Sequence, residues 1–402
     1  MASVMSPALS ADDVAFRDEV RAFLDAELTP ALRLAGRRTA GIFTDYDDGQ
    51  AWFRILAKKG WSVPHWPVEW GGCGWSPRQH DIFASELSAA GAPVLAPQGA
   101  RMVAPVVLAF GTPEQKQRWL PGIRAGDDYW CQGYSEPGSG SDLASLQCRA
   151  VRQGDEYVLN GTKIWTTHAH WANKIFCLVR TDSSGKAQQG ISFLLFDMDS
   201  PGITVRPIIS ISGDHELNQV FFDDVRVPAS ALLGEENRGW TIAKYLLVHE
   251  RGGAYTPALR ARLGRLHGMA RAAFAGRPAD DDERRDVARA LADAECRIDA
   301  LHALEQQLLA ARIRGVEQPI APSVGKLLGT ELKQYITEIG VTIAGAYGAA
   351  RLPLADCAEH ALALPEDAVF AMTTYLNDRA ASIYAGTNEV QRNIIAQHLL
   401  SH

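Results

Sequence analysis

The chain has 402 residues, 47% of them hydrophobic, and a formal net charge of −7, which suits a full core shared by two or three domains and offers no basic run for a nucleic-acid backbone. Its six cysteines are scattered with no CxxC pair, so neither disulfides nor a metal site is expected, and a reducing, cytoplasmic setting fits best. No secretion-type leader is legible, and no stretch approaches the roughly 18 apolar residues of a membrane helix, so membrane insertion is not expected.

The first region, residues 1–126, reads as helical. Ser10 with Asp13 forms the pattern of a capping box, and the helix after it carries Phe16, Val20, Phe23 and Leu24 on one face before stopping at Thr29-Pro30. Thr112 followed by Pro113 opens another helix, with proline at its first position.

The period changes over residues 127–235. Gln147–Arg152, Glu156–Leu159 and Lys163–Thr167 read as short extended runs, separated by Gly154-Asp155 and by Asn160-Gly161, the latter a tight-hairpin signal. Ile175–Arg180, Ile191–Met198 and Gln219–Val227 continue the pattern, and an antiparallel β domain is expected.

Helix returns over residues 236–402. Val287, Leu291, Ala294, Ile298, Leu301 and Leu308 make one apolar seam, expected as bundle core or subunit interface. The architecture is then a multi-domain α+β chain, with a β domain set between an N-terminal helical domain and a C-terminal four-helix bundle. A cleft between β and α layers is a natural cofactor position.

Two segments carry chemistry. Trp130–Asp142, dense in Gly, Ser and Pro, would present hydroxyls and backbone N–H groups to a polar heterocycle or a pyrophosphate; its composition equally suits a surface turn. This segment, with its Ser-Glu-Pro-Gly-Ser-Gly-Ser-Asp run, resembles the signature of the acyl-CoA dehydrogenases. Lys163-Ile-Trp-Thr-Thr167 is similar to that family's second flavin segment, and Tyr384–Arg392 to its C-terminal motif. The three motifs stand in family order over almost the whole chain.

The resemblance implies the acyl-CoA dehydrogenase fold and an FAD cofactor. Gln132, Gly133, Tyr134 and Ser135 would line the flavin ring, Trp165 would pack on it, and Thr167 would hydrogen-bond near N5. Ser141 would contact the ligand's pantetheine or pyrophosphate, and Thr387 and Glu389 would lie near the adenylate half of FAD. The implied reaction removes an α-proton and a β-hydride from an acyl-CoA to give the 2-enoyl thioester, a step of lipid metabolism. Electrons would pass to an electron-transfer flavoprotein.

The chain also departs from the pattern. Many members place the catalytic base directly after the Tyr of the C-terminal motif, where this chain has Ala385; the backbone N–H there, with Gly386 beside it, can still serve the thioester carbonyl. A second family solution puts a Glu-Arg pair on the first helix after the β domain, matched here by Glu250-Arg251. Glu250 shares a helical stripe with Trp240, Ala243 and Leu247, so burial should raise its pKa towards a base's working range. Arg251 would contact the active-site or CoA region. The family's Arg-x-x-Phe-Gly segment is not matched around Arg271–Arg277, and its Gln-x-x-Gly-Gly-x-Gly segment survives only in part at Ile343–Gly348. These losses resemble a bacterial branch acting on steroid side chains and other bulky acyl groups, some of whose members pair with a paralogue. Three readings follow. One is an acyl-CoA dehydrogenase working as a homo-oligomer, dimer or tetramer. Another is a non-catalytic subunit completing a paralogue's FAD site in a hetero-oligomer. The last is a flavin oxidase, monooxygenase or carrier-protein thioester dehydrogenase of the same fold.

Overall fold

Ser10 caps the first helix as its spacing predicts. Its Oγ accepts from the Asp13 N–H at 3.1 Å, and Asp13 Oδ2 accepts from the Ser10 N–H at 3.2 Å. The computed structural model describes residues 9–39, 41–250, 254–316, 318–345 and 366–401, without the side chains of 248–250 and 366–367. Helix α1 (Ala11–Glu27) buries Phe16, Val20 and Leu24, while Phe23 is only partly covered. Thr29 ends that helix and caps α2 (Pro30–Arg37), because proline cannot continue one helix but fits the first turn of the next. Helices α3 (Tyr46–Lys59) and α4 (Pro77–Ala90) follow, then a π-helical turn, Gln98–Val103, and α5 (Ala104–Phe110). Thr112 and Gln115 cap α6 (Pro113–Ala125) reciprocally.

The middle region is one eight-stranded sheet in the order β6-β7-β3-β2-β4-β5-β8, with β1 paired on β4. Its strands are β1 (Trp130–Gly133), β2 (Arg149–Gln153), β3 (Glu156–Lys163), β4 (Lys174–Arg180), β5 (Ile191–Asp197), β6 (Ile203–Ile208), β7 (Leu217–Pro228) and β8 (Leu232–Leu233). The sheet is mixed rather than purely antiparallel: β1 and β2 both run parallel to β4. The β1–β4 pair explains Gly133, since a Cβ there would lie 2.9 Å from the Cys177 Sγ of the neighbouring strand.

The strands depart from the sequence pattern at two places. Asn160-Gly161 makes no hairpin; β3 runs straight through it, paired with β7, with a register shift between Leu159 and Gly161. Glycine is needed there because a Cβ would fall 2.7 Å from the Cys148 Cα, the close backbone approach that glycine in a strand marks. The hairpin is at Gly154-Asp155, between the paired residues Gln153 and Glu156. The extended run expected to reach Thr167 stops at Lys163, because Trp165 takes a left-handed conformation with φ 59°.

Helix α7 (Gly239–Glu250) lies on β5, the π-helical turn and α5, whereas α8 (Thr256–Ala273), α9 (Asp282–Ile313) and α10 (Ala321–Ala344) pack on one another as the bundle. Ala371–Asp378 and the final helix, Asn388–Leu400, complete it against α10. Along α9 the seam is Val287, Leu291, Ala294, Ile298 and Leu301, then Leu309 instead of Leu308. The expected seven-residue step falls short of two full turns, so the face drifts by one residue. Helix α4 packs on α8 and α9, which joins the two helical regions around the sheet. Asp378, buried in the bundle, receives Arg262 at 2.5 Å and Lys333 at 2.7 Å. Burial pushes its carboxyl up, but the two cations outweigh that and hold it below the usual carboxylate range.

Candidate active site

Strand β1 delivers the chain to the loop Tyr134–Asp142, and β3 delivers it to the turn Ile164–Thr167. The two segments lie side by side: the Ile164 N–H donates to the Ser135 carbonyl at 2.9 Å. Beneath them sits a buried ion pair, Lys163 Nζ to Glu136 Oε1 at 2.6 Å, with Lys163 also donating to the Tyr134 carbonyl at 3.2 Å. The Glu136 carboxylate further accepts from the backbone N–H groups of Gln147 at 2.6 Å and Cys148 at 2.9 Å. A charge of each sign is thus buried with its hydrogen bonds met, the condition under which burial is tolerable. Burial would lower the Lys163 pKa, but it is raised overall; with the buried Cys177 thiol held neutral, the charge that raises it is the Glu136 carboxylate 2.6 Å away.

Trp165 stands on this base. A bulky residue with positive φ is strained, and its indole is 56% exposed. The turn is held from its far side by β7. The Thr166 N–H donates to the Asn218 carbonyl at 2.9 Å, the Asn218 amide donates back to the Thr166 carbonyl at 3.0 Å, and the His168 N–H donates to the Glu216 carbonyl at 2.9 Å. His168 is itself left-handed and buried, and its Nδ1 lies 2.7 Å from the Tyr129 hydroxyl. Burial, then the nearby His170 and His215, push its pKa down to about 3. His170 and His215 stack with ring centroids 3.9 Å apart, each bonded to the Asn218 side chain. The Glu216 carboxylate accepts from the N–H groups of Ile42 at 2.8 Å and Phe43 at 3.2 Å, tying the turn to the N-terminal domain.

Of the expected ring-lining residues, Gly133 and Tyr134 are buried, with the Tyr134 ring edge-on to Phe176 and Phe193; Gln132, Ser135 and Thr167 are half-buried and Ser141 is exposed. A cleft of about 510 Å³ runs past Glu136–Ser139, Gln147 and Thr162. The Thr166 hydroxyl is buried without a hydrogen-bond partner in the protein. An exposed indole on a fixed turn, flanked by a Gly/Ser loop and an unmet hydroxyl, fits a planar polar heterocycle such as a flavin.

The other expected residues belong to the C-terminal helical region. Glu250 is the last residue of α7, with its side chain outside the described residues, as are Arg251 and the part of Ile343–Gly348 beyond Gly345. Ala385 and Gly386 are consecutive left-handed residues, φ 55° and 84°. Thr387 caps the final helix, its hydroxyl accepting from the Val390 N–H, and Glu389 lies exposed, 3.8 Å from Arg392. Arg277, on the unmatched segment, is occupied locally by Asp281 and Glu283. Sequence reading missed Glu136, Lys163, His168, Glu216 and Asn218 as a working unit. The available signal was a lysine at an inward position of a strand and a Glu inside a turn-rich loop, both costly unless paired.

Family models for the acyl-CoA dehydrogenase N-terminal, middle and C-terminal domains match residues 10–127, 131–225 and 237–400. Acyl-CoA dehydrogenase IpdE1 of Mycobacterium tuberculosis is 36% identical over 359 residues, covering 88% of this chain and 88% of that protein. Among solved structures, the steroid acyl-CoA dehydrogenase Tcur3481-Tcur3483 superposes with a TM-score of 0.83 at 29% identity, covering 98% of each chain. The ChsE4-ChsE5 complex of M. tuberculosis gives 0.80 at 30% identity over 99% of each. The chain therefore belongs to the acyl-CoA dehydrogenase family, on the bacterial branch that resembles the steroid and other bulky acyl-CoA dehydrogenases.

Proposed function

We propose that the protein catalyses FAD-dependent α,β-dehydrogenation of an acyl-CoA to the 2-enoyl-CoA. The observation that carries this reading is the Trp165 turn, a strained and exposed indole fixed by a buried ion pair to the Ser135–Glu136 loop. Strain that the surroundings over-determine points to function rather than to stability.

Bound FAD supplies hydride acceptance from the acyl β-carbon. The chain supplies the rest. Trp165 and the loop Gln132–Ser135 would hold the ring, with Thr167 beside it; Thr387 and Glu389 would serve the distal half. Glu250, at the end of a helix whose Ala243 and Leu246 are buried, takes the α-proton. The Ala385 backbone N–H, next to Gly386, polarises the thioester carbonyl, which is what makes so weak a carbon acid removable. Ser141 and Arg251 contact the CoA portion. An electron-transfer flavoprotein would be the electron acceptor, and the protein works as an oligomer.

Anaerobic bleaching of the flavin by a panel of linear, branched and ring-bearing acyl-CoAs tests the reading. Glu250→Gln should slow bleaching by roughly 10²–10⁴-fold while leaving flavin bound. Unchanged bleaching would remove Glu250 from the mechanism. A second reading draws on Ala385 and on the two-protein composition of the ChsE4-ChsE5 structure: a subunit that completes a paralogue's FAD site. It predicts protein that is colourless when expressed alone and gains flavin with its partner.

A further inference from the structure

A second cluster of charge lies away from the clamp, and its charges are not balanced within the chain. His65 and His80 stack with ring centroids 4.0 Å apart and planes 20° from parallel. The positive charges that both rings feel come from Arg101 and Arg312. Desolvation by crowded neighbours comes first, though the His65 side chain still reaches solvent, then for His65 its partner His80, then these cations. Both imidazoles are depressed, His65 to about 3, so near neutrality the rings are uncharged and the two guanidiniums are the cluster's charge.

Two contacts bring the four residues together, one within the N-terminal domain and one between α4 and α9. The Trp66 indole N–H donates to the Ala100 carbonyl at 2.8 Å, which sets His65 beside Arg101 on the π-helical turn. His80 lies on α4, and Arg78 of the same helix donates to Gln306 of α9 at 2.8 Å. Arg312 is in the last turn of α9. The nearest carboxylate on α4, Asp81, is engaged by the Gln306 amide at 3.4 Å. Among the described residues, no carboxylate pairs with Arg101 or Arg312, whereas the fully buried Lys163 is paired with Glu136 and the half-buried Lys333 with Asp378. The His80 Nδ1 is buried and has no hydrogen-bond partner. Arg101 faces solvent from a crowded wall, and desolvation there lowers its pKa. Both guanidiniums reach solvent, so they are tolerated unpaired in the free protein, and they are open to an anion that can take them bidentately.

The cluster's position says which anion. The π-helical turn that carries Arg101 packs on α7, which ends at Glu250, and on β1, which leads into the clamp. Seven residues before Arg312, Glu305 accepts the Tyr255 and Thr256 N–H groups and so fixes the start of α8, just past Glu250. On the dehydrogenase reading, which puts the reacting acyl carbons between Glu250 and the clamp, the turn that carries Arg101 borders both flanking elements, and α9, which carries Arg312, braces the start of α8. Resting on the dehydrogenase reading above, we propose that Arg101, Arg312 and the His65–His80 pair form a subsite for a carboxylate carried at the far end of the acyl group.

The test uses matched pairs of CoA thioesters from six to ten acyl carbons, each fatty acyl-CoA beside its ω-carboxy counterpart (hexanoyl with adipoyl, octanoyl with suberyl, decanoyl with sebacoyl). Binding to the full-length flavoprotein is measured by calorimetry, and flavin bleaching is followed separately. Both members carry the same CoA, so its phosphates cancel in the ratio of dissociation constants, and free suberate serves as the control for an anion not tethered to CoA. The ω-carboxy member should bind at least tenfold tighter at the best chain length. Arg101→Met should bring the ratio near one, Arg312→Met should reduce it, and Arg101→Lys should restore part of it. A wild-type ratio near one at every length, a ratio unchanged in both methionine variants, or equal affinity for free suberate would overturn the proposal. Bleaching by octanoyl-CoA with a ratio near one leaves the dehydrogenase reading standing without the subsite. A tenfold ratio with no bleaching by either member leaves the subsite standing and removes the dehydrogenation.

Discussion

The turn at Trp165 and the turn at Ala385 share one local feature and differ in everything that surrounds it. Each places a non-glycine residue in the left-handed region, with φ 59° and 55°. At Trp165 the strain is fixed from both sides, by the buried Glu136–Lys163 pair below and by Asn218, Glu216 and His168 across β7. At Ala385 the contacts on the turn itself are lighter: the Thr387 cap on Val390 at 3.2 Å and the Gln391 amide on the Gly386 carbonyl at 3.2 Å. The firmer anchor is one step past that cap, at Asn388, which accepts from Lys326 at 2.8 Å. The same backbone conformation is thus held rigid where a ring would be gripped and held loosely where a thioester would enter and leave. If that contrast is right, the two turns should answer differently to substitution.

The largest effect should come from the base of the first turn. Glu136→Gln leaves the Lys163 ammonium buried without its counter-charge and weakens the hold on the Gln147 and Cys148 N–H groups. Breaking one side of a buried pair costs about 3–5 kcal/mol. Urea unfolding of the full-length protein should register a loss of that size, and a Glu136→Leu, Lys163→Met double variant should recover much of it. A single-variant loss under about 1 kcal/mol would mean that the clamp is rigid for another reason.

A middle effect depends on pH. His168 is pushed to about 3 in the folded protein, against an ordinary value near 6.5, first by burial and then by His170 and His215. Between those two values the unfolded chain binds the proton and the folded chain does not. Stability therefore falls as the pH drops below about 6.5, and the loss is complete near pH 3, with a slope of at most about 1.4 kcal/mol per pH unit for this one group. His168→Asn removes the proton site and keeps a residue type that tolerates the left-handed region. Unfolding midpoints measured from pH 7 to pH 5 should decline more steeply for the wild type than for the variant, by about 2 kcal/mol at pH 5. Parallel declines would mean that His168 protonates freely and that the turn opens to water.

How much of this could be read in advance depended on the range of the interaction. The Ser10 and Thr112 caps were legible because a cap is decided within four residues, and β4, β5 and β7 because each is a bounded apolar run. Asn160-Gly161 misled because its local signal for a hairpin was overridden by pairing with β7, and its glycine answers to Cys148, distant in sequence. The motifs located the clamp, but its supports at Asn218 on β7 and Glu216 just before it come some fifty residues on, with no local pattern to mark them. The cationic cluster was invisible for the same reason. His65, Arg101 and Arg312 meet only because Trp66 pins one segment and α4 docks on α9.

The smallest effect should come from the second turn, and its sign is the sharper test. A left-handed conformation costs an L-residue such as alanine roughly 1–2 kcal/mol, whereas glycine adopts it freely but loses about 0.5–1 kcal/mol more chain entropy on folding. Ala385→Gly should therefore leave stability unchanged or raise it by up to about 1 kcal/mol, read as a small rise in Tm. A loosely held turn has little else to lose, because Ala385 is only half-buried and its methyl group is one carbon. A loss above about 1 kcal/mol would show that the methyl is packed and the turn as rigid as the one at Trp165, which would end the contrast between them. Retained stability with weaker acyl-CoA binding would instead assign the strain at Ala385 to holding its backbone N–H in place for the thioester carbonyl, a role that the side chain itself does not perform.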